Sequence, residues 1–284
     1  MFESYYGLQA APFQLSPDPD FFYASSGHSS ALAYMKFGAY QGEGFIVVTG
    51  EIGAGKTTLV RTLLEGLDAE RIVAAQIVST QLDAGDLLRA ICMAFGIPLT
   101  GTSKAQWLGT LEAFLTALCA AGRRALLVVD EAQNLGQREI EELRMLSNFQ
   151  LGSHALLQSF LVGQPELRKM LQSKSLEQLR QRVIASCHLG PLALDEVRPY
   201  IEHRLRHAGW SGERPIFTDD AFEAIHDCTD GVPRRMNLLC TRALLSGFLH
   251  SRPLVEKADI LRTSKELNAE LGEVPVRLAS SSSL

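Results

Sequence analysis

The sequence predicts an α/β protein, a parallel sheet covered by helices on both faces, followed by a second domain made of helices alone. Short β-branched apolar runs alternate with segments of helical spacing through the first two thirds of the chain, the pattern of a parallel sheet whose crossovers are helices. Strand signals then cease after "VIASCHLGPL", and helical spacing continues from Asp195 to about Leu267. With 284 residues, 46% apolar and 21% charged, the chain can bury one large core and a smaller satellite.

The elements follow in order. "GFIVVT" at 44–49 is a short β-branched run that ends at a glycine loop, and "KTTLVRTLLEGL" after it has apolar positions at helical spacing. "RIVAAQIVS" reads as a strand, "DAGDLLRAICMAF" and "KAQWLGTLEAFLTALCAAG" as helices, and "RALLVVD" as a buried strand. "REIEELRMLSNFQ" reads as a helix, "ALLQSFLVG" as a strand, and "VIASCHLGPL" as the last strand. In the helical part, Gly231 ends one helix and Pro233 opens the next. A domain boundary is expected near Gly190 and Pro191, and the polar "LASSSSL" end reads as disordered.

Composition narrows the function. "MFESYYGLQAAPF" has no basic cluster and no apolar core of the kind an export signal carries. The longest apolar runs stop after about half a dozen residues, against the ~20 a membrane-spanning helix needs. Cys92, Cys119, Cys187, Cys228 and Cys240 are scattered and odd in number, so neither a disulfide framework nor a zinc knuckle is indicated. These features read as a cytoplasmic protein. A net charge of -5 argues against a dedicated nucleic-acid binder, while leaving room for a local basic strip at Arg204 to His207 or Arg168 to Lys174. His203 and His207 have metal-compatible spacing, but no acid supports them in a zinc-protease pattern.

The chemistry is concentrated in "GEIGAGKTT". Gly50, Glu51, Ile52, Gly53, Ala54, Gly55, Lys56, Thr57 and Thr58 match a phosphate-binding loop between a strand and a helix. Its backbone N–H groups would converge on the β-phosphate, Lys56 would hold β and γ oxygens, and Thr57 would ligate Mg²⁺. "LLVVDE" delivers Asp130 to the end of a buried strand as a second metal-holding group, with Glu131 beside it to polarise the attacking water. Arg180 and Arg182 in "LEQLRQRV" lie where an arginine can reach a neighbouring subunit's γ-phosphate, Arg182 being the better placed. Arg234 and Arg235 in "DGVPRRMN" open a helix of the second domain, and Arg234 is the candidate to touch the nucleotide. The missing Asn-Lys-x-Asp segment favours ATP over GTP.

Together these residues resemble the AAA+ ATPases of the additional-strand class. Gln164, after "SFLVG", stands where the ATPases that this chain resembles carry a polar residue that senses the γ-phosphate. "YYGLQAAPFQLSPDPDFFYASSGHSSALAYMKFG", "ELRMLSNFQ", "LVGQPEL", "LRQRV", "GVPRRMN" and "LLCTRALL" are similar to the general secretion pathway protein A family, and within it to secretion ATPases of exosortase and exopolysaccharide systems. The resemblance implies a P-loop NTPase with a parallel five-stranded sheet and a C-terminal helical lid. Its expected parts are an N-terminal segment (1–43) packing on the nucleotide site, an ATPase core (44–190), a lid (191–267) and a tail (268–284). Tyr23 and His28 become candidates for base or ribose contact. The implied function is an Mg²⁺-dependent ATP hydrolase that assembles into a ring or filament and drives or regulates an envelope export system. A secretion-system or inner-membrane protein partner would supply any peripheral membrane contact. The same core also resembles transposition regulators that polymerise on DNA, the rival reading.

Overall fold

The computed structural model describes residues 2–78, 83–99 and 101–271. Seven strands are present among them: β1 Phe45–Gly50, β2 Ile72–Val78, β3 Arg124–Asp130, β4 Gln150–Leu151, β5 His154–Ala155, β6 Leu157–Gly163 and β7 Val183–Leu189. The helices are α1 Phe2–Tyr5, α2 Ser26–Gln41, α3 Lys56–Glu65, α4 Ala84–Ala94, α5 Lys104–Ala120, α6 Gln137–Leu146, α7 Pro165–Leu171 and α8 Glu177–Arg180. They continue as α9 Leu194–His207, α10 Asp219–Thr229, α11 Pro233–Leu249 and α12 Lys257–Leu271.

Five strands form one parallel sheet in the order β2-β3-β6-β1-β7. The burial of each strand follows from that order. β1 and β6 lie inside the sheet with both faces covered and are buried at every residue, β1 as a largely apolar run and β6 with Gln158 and Ser159 buried among its apolar residues. β2 and β7 are the edges and are less covered: β2 mixes buried and exposed residues, and β7 alternates half-buried with exposed ones until Leu189. One face is filled by Phe45, Val47, Leu127, Val129 and Leu161 against residues of α4 to α8 such as Leu87, Ile91, Leu143, Leu167 and Leu179. On α2, a Cβ at Gly38 would lie 2.1 Å from Ile46 Cδ1, so the helix rests directly on β1.

Local signals set the helix starts. Asp83 caps α4 by accepting from the N–H groups of Gly85 and Asp86, each at 2.8 Å. Ser103 and Gln106 form a reciprocal capping box on α5. Pro165 and Pro233 open α7 and α11, where a missing N–H is harmless.

The chain divides into two compact units, one of Ser26–Ile52 and Lys56–Leu189, the other of Met1–Ser25, Gly53–Gly55 and Gly190–Leu284. The first holds the sheet. The second is helical, and residues 2–25 contribute to its core: Tyr6, Leu8 and Phe13 are buried with Val197, Ile201, Leu205, Phe217, Met236 and Leu244. The segment expected as a single N-terminal piece therefore splits, with α2 on the sheet and residues up to Ser25 in the helical unit. Arg204, only 7% exposed, secures that arm. Its Nε donates to Pro12 O at 2.7 Å, its Nη2 to Gln14 O at 3.3 Å, and its guanidinium stacks over Phe21. α12 runs to Leu271, four residues into the stretch expected as tail, and residues 272–284 lie outside those described.

The turn between α10 and α11 depends on Gly231. It has φ +68°, and a Cβ there would stand 2.2 Å from Leu192 O, a backbone atom that in turn is fixed by the Leu192 N–H to Gly231 O bond. Gly231→Ala is expected to destabilise the helical unit by about 2–4 kcal/mol through strain and overlap. Urea unfolding followed by circular dichroism checks this, and an unchanged midpoint would mean that the turn yields at no cost.

Candidate nucleotide site

Sheet register brings the chemistry to one end. Gly50, Asp130 and Gly163 close β1, β3 and β6, the carboxyl ends where an open parallel sheet presents its binding crevice. Because β6 lies between β1 and β3, Gln164 follows from the strand that separates the glycine loop from the acid pair.

The loop leaves β1 at Gly50, where a Cβ would be 2.6 Å from Leu189 O, so a side chain is excluded by the neighbouring strand. Gly53 and Gly55 have φ of 84° and 94°, a region that glycine enters without penalty. Ala54 is buried, while Glu51 and Ile52 face outward. In the helical unit's grouping, Arg234 N–H donates to Gly53 O at 3.2 Å. The chain then enters α3 at Lys56, whose first turn by geometry has N–H groups without intrahelical acceptors.

Lys56 is 7% exposed, and its ammonium donates to Gly50 O at 2.7 Å and Glu51 O at 2.9 Å. Burial lowers its pKa, opposed by the charges of Glu131, Asp130 and Glu51. Asp130 is also buried, and burial raises its pKa, against the Glu131 N–H that it accepts at 2.9 Å. Thr57 Oγ1 lies 3.5 Å from Asp130 Oδ2, so a hydroxyl and a carboxylate oxygen share one spot beside the ammonium. That set of hard oxygens suits Mg²⁺, and the positive-φ loop with its ammonium suits a polyphosphate.

Glu131 has φ 52°, a left-handed backbone that residues other than glycine seldom adopt, and a 3-10 turn (Ala132–Asn134) follows it. Its Oε2 accepts from Gln164 Nε2 at 3.2 Å and from Gln133 Nε2. Gln133 was not singled out in the sequence, since nothing in its spacing distinguishes it from a loop glutamine.

Other expected residues are placed elsewhere. Arg182 caps the end of α6, its Nη1 donating to Ser147 O and Oγ at 3.0 Å each and its Nη2 to Asn148 Oδ1. Arg180 donates to Leu171 O at 2.9 Å and Ser173 O at 3.1 Å. Arg235 pairs with Asp230 at 3.2 Å, whereas Arg234 has an exposed side chain with no ion pair among the described residues. Tyr23 packs in the helical unit against Tyr200 and His203, at ring distances of 5.8 and 5.6 Å, while His28 is buried on α2 in the sheet unit. His203 and His207 stack on each other with centroids 4.1 Å apart.

Comparison with known proteins agrees with this geometry. A family model described as an AAA domain, AAA_22, matches residues 39–171. General secretion pathway protein A of Aeromonas hydrophila is 40% identical over 269 residues, covering 94% of this chain and 49% of that protein, so the chain spans about half the length of this curated relative. In fold, the chain is similar to the Aeropyrum pernix ORC1 protein in complex with DNA, at TM-score 0.66 and 18% identity over 91% of this chain and 70% of that one. A Thermotoga maritima RuvB variant has TM-score 0.56 and 20% identity over 93% of this chain and 76% of its own. No helix among the described residues is long and apolar enough to cross a membrane. The sheet order, the glycine loop and the matched AAA domain give this chain the P-loop AAA+ fold, and over most of its length it is similar to general secretion pathway protein A.

Proposed function

We propose that the protein hydrolyses Mg²⁺–ATP to drive or regulate assembly of an envelope export system. The observation that carries the chemistry is the cluster of Lys56, Thr57, Asp130 and Glu131 at the carboxyl ends of β1 and β3. Lys56 would bind β and γ oxygens, with the loop residues Gly50 to Thr58 around them. Thr57 and Asp130 would hold Mg²⁺, which supplies charge neutralisation on the phosphates. Glu131 takes a proton from water as its oxygen bonds to the γ-phosphorus and the bond to the bridging oxygen of ADP breaks. Gln164 orients that water from the intervening strand.

The export assignment rests on 40% identity to a protein named for general secretion. Exopolysaccharide or exosortase-linked export is the specific system the sequence motifs favour. A cytoplasmic location follows from that reading, with any inner-membrane contact made through a partner. Self-association into a ring or filament would let Arg182 serve a neighbouring site, which requires the guanidinium to exchange its cap on α6 for a phosphate. Arg234 is the candidate to contact the nucleotide.

Steady-state ATP turnover measured across protein concentration, with and without duplex DNA, tests this reading. Turnover per subunit that rises with concentration and ignores DNA is the expected result. Strong stimulation by DNA would replace it with a DNA-bound regulator, and turnover independent of concentration would remove the arginine in trans.

A further inference from the structure

The left-handed turn at Glu131 has a consequence for the residue two positions on. It sends the chain back toward β6, and the side-chain amide of Gln133 lands between two strand ends. At one end its Nε2 donates to Glu131 Oε2; at the other its Oε1 accepts the Gln164 N–H at 2.9 Å. Gln164 Nε2 reaches the same Glu131 oxygen at 3.2 Å. One carboxylate oxygen therefore receives two amide donors, and the amide of Gln133 is engaged on both its sides. The end of β6 makes room for this bridge, since a Cβ at Gly163 would lie 2.6 Å from Gln133 Oε1.

We propose that Gln133 is a positioning residue for ATP hydrolysis. It fixes Glu131 Oε2, so that the carboxylate presents its other oxygen to the attacking water. It also ties the acid to Gln164, so that the water-activating and γ-phosphate-facing groups move as one piece. This rests on the reading of Glu131 as the proton acceptor. Gln133 touches neither nucleotide nor water in this scheme and acts through Glu131, with Gln164 tied to it.

Gln133→Glu keeps an acceptor for the Gln164 N–H, loses the donor to Glu131 and sets a like charge against it, so Gln133→Leu, which adds no charge, is measured beside it and should lower kcat in the same direction. The expected result is a kcat lower by about 10- to 100-fold, the scale of an ångström-level misplacement, with the Kd for ADP unchanged. Gly163→Ala, which crowds the same amide from behind, should lower kcat in the same direction. The deciding measurement is a double-mutant cycle with Glu131→Gln. If Gln133 acts through Glu131, Gln133→Glu has no further effect on kcat in the Glu131→Gln background. An equal loss in both backgrounds, an unchanged kcat in the single variant, or a loss traced to ADP affinity would each overturn the proposal. Wild-type turnover in Glu131→Gln alone would instead remove Glu131 as the proton acceptor, and the proposal with it.

Discussion

Lys56→Ala should weaken nucleotide binding by at least about 100-fold. The ammonium is buried and held by two carbonyls in front of the loop, so its replacement removes charge-assisted hydrogen bonds to phosphate that no solvent group can supply. At about 1.5–3 kcal/mol for each such bond, loss of two exceeds 3 kcal/mol, a factor of more than ~100 in Kd. Titration with a fluorescent ATP analogue measures it, and melting temperature without nucleotide separates lost affinity from lost structure. Wild-type affinity in a folded Lys56→Ala protein would refute the phosphate-loop assignment. The pH dependence of binding has a defined sign. Burial lowers the Lys56 pKa, so affinity should fall as pH rises toward, and before reaching, the ordinary lysine value of 10.5. Burial raises the Asp130 pKa, so Mg²⁺-dependent binding should fade as pH drops while still above the usual carboxylate value of 3.8.

Glu131→Gln should separate binding from turnover. The substitution keeps size and hydrogen-bonding capacity while removing the proton acceptor, and general-base catalysis is worth on the order of 10²–10⁴ in rate. ATP should remain bound, with kcat reduced by that factor and the ATP-bound assembly persisting. Single-turnover hydrolysis of radiolabelled ATP checks the chemical step directly. Normal turnover in this variant would exclude Glu131 from the mechanism and favour a different water-activating group.

Much of this arrangement was legible in the residues themselves. The apolar runs of β1 and β3 announced interior parallel strands, and β1, β3 and β6 are each followed by residues that the sheet then gathers at one end. Gly231 and Pro233 marked the turn between α10 and α11 because their backbone restrictions act locally. What escaped was decided at a distance. The β4–β5 hairpin has two residues per strand around Gly152, too short for any period-two pattern. Gln133 owes its place to the φ of Glu131, which no spacing rule reveals. Arg180 and Arg182 stood at the expected chain positions, yet each also serves as a helix-end cap, a use that depends on where α6 and α7 stop. The N-terminal arm read as one segment because "PFQLSPDPDFFY" carries no break that reports which core takes Phe13 and which takes α2.

The helical unit draws its interior from both extremities of the described chain, Tyr6, Leu8 and Phe13 at one end and residues after Gly190 at the other. During synthesis the arm is made before the sheet and its binding surface after it. Until α9 to α12 emerge, three apolar side chains and the carbonyls that Arg204 will take have no native seat, a window for chaperone engagement. A recombinant ATPase fragment that starts at α2 would keep the sheet and leave the helices without Tyr6, Leu8 and Phe13 in their core.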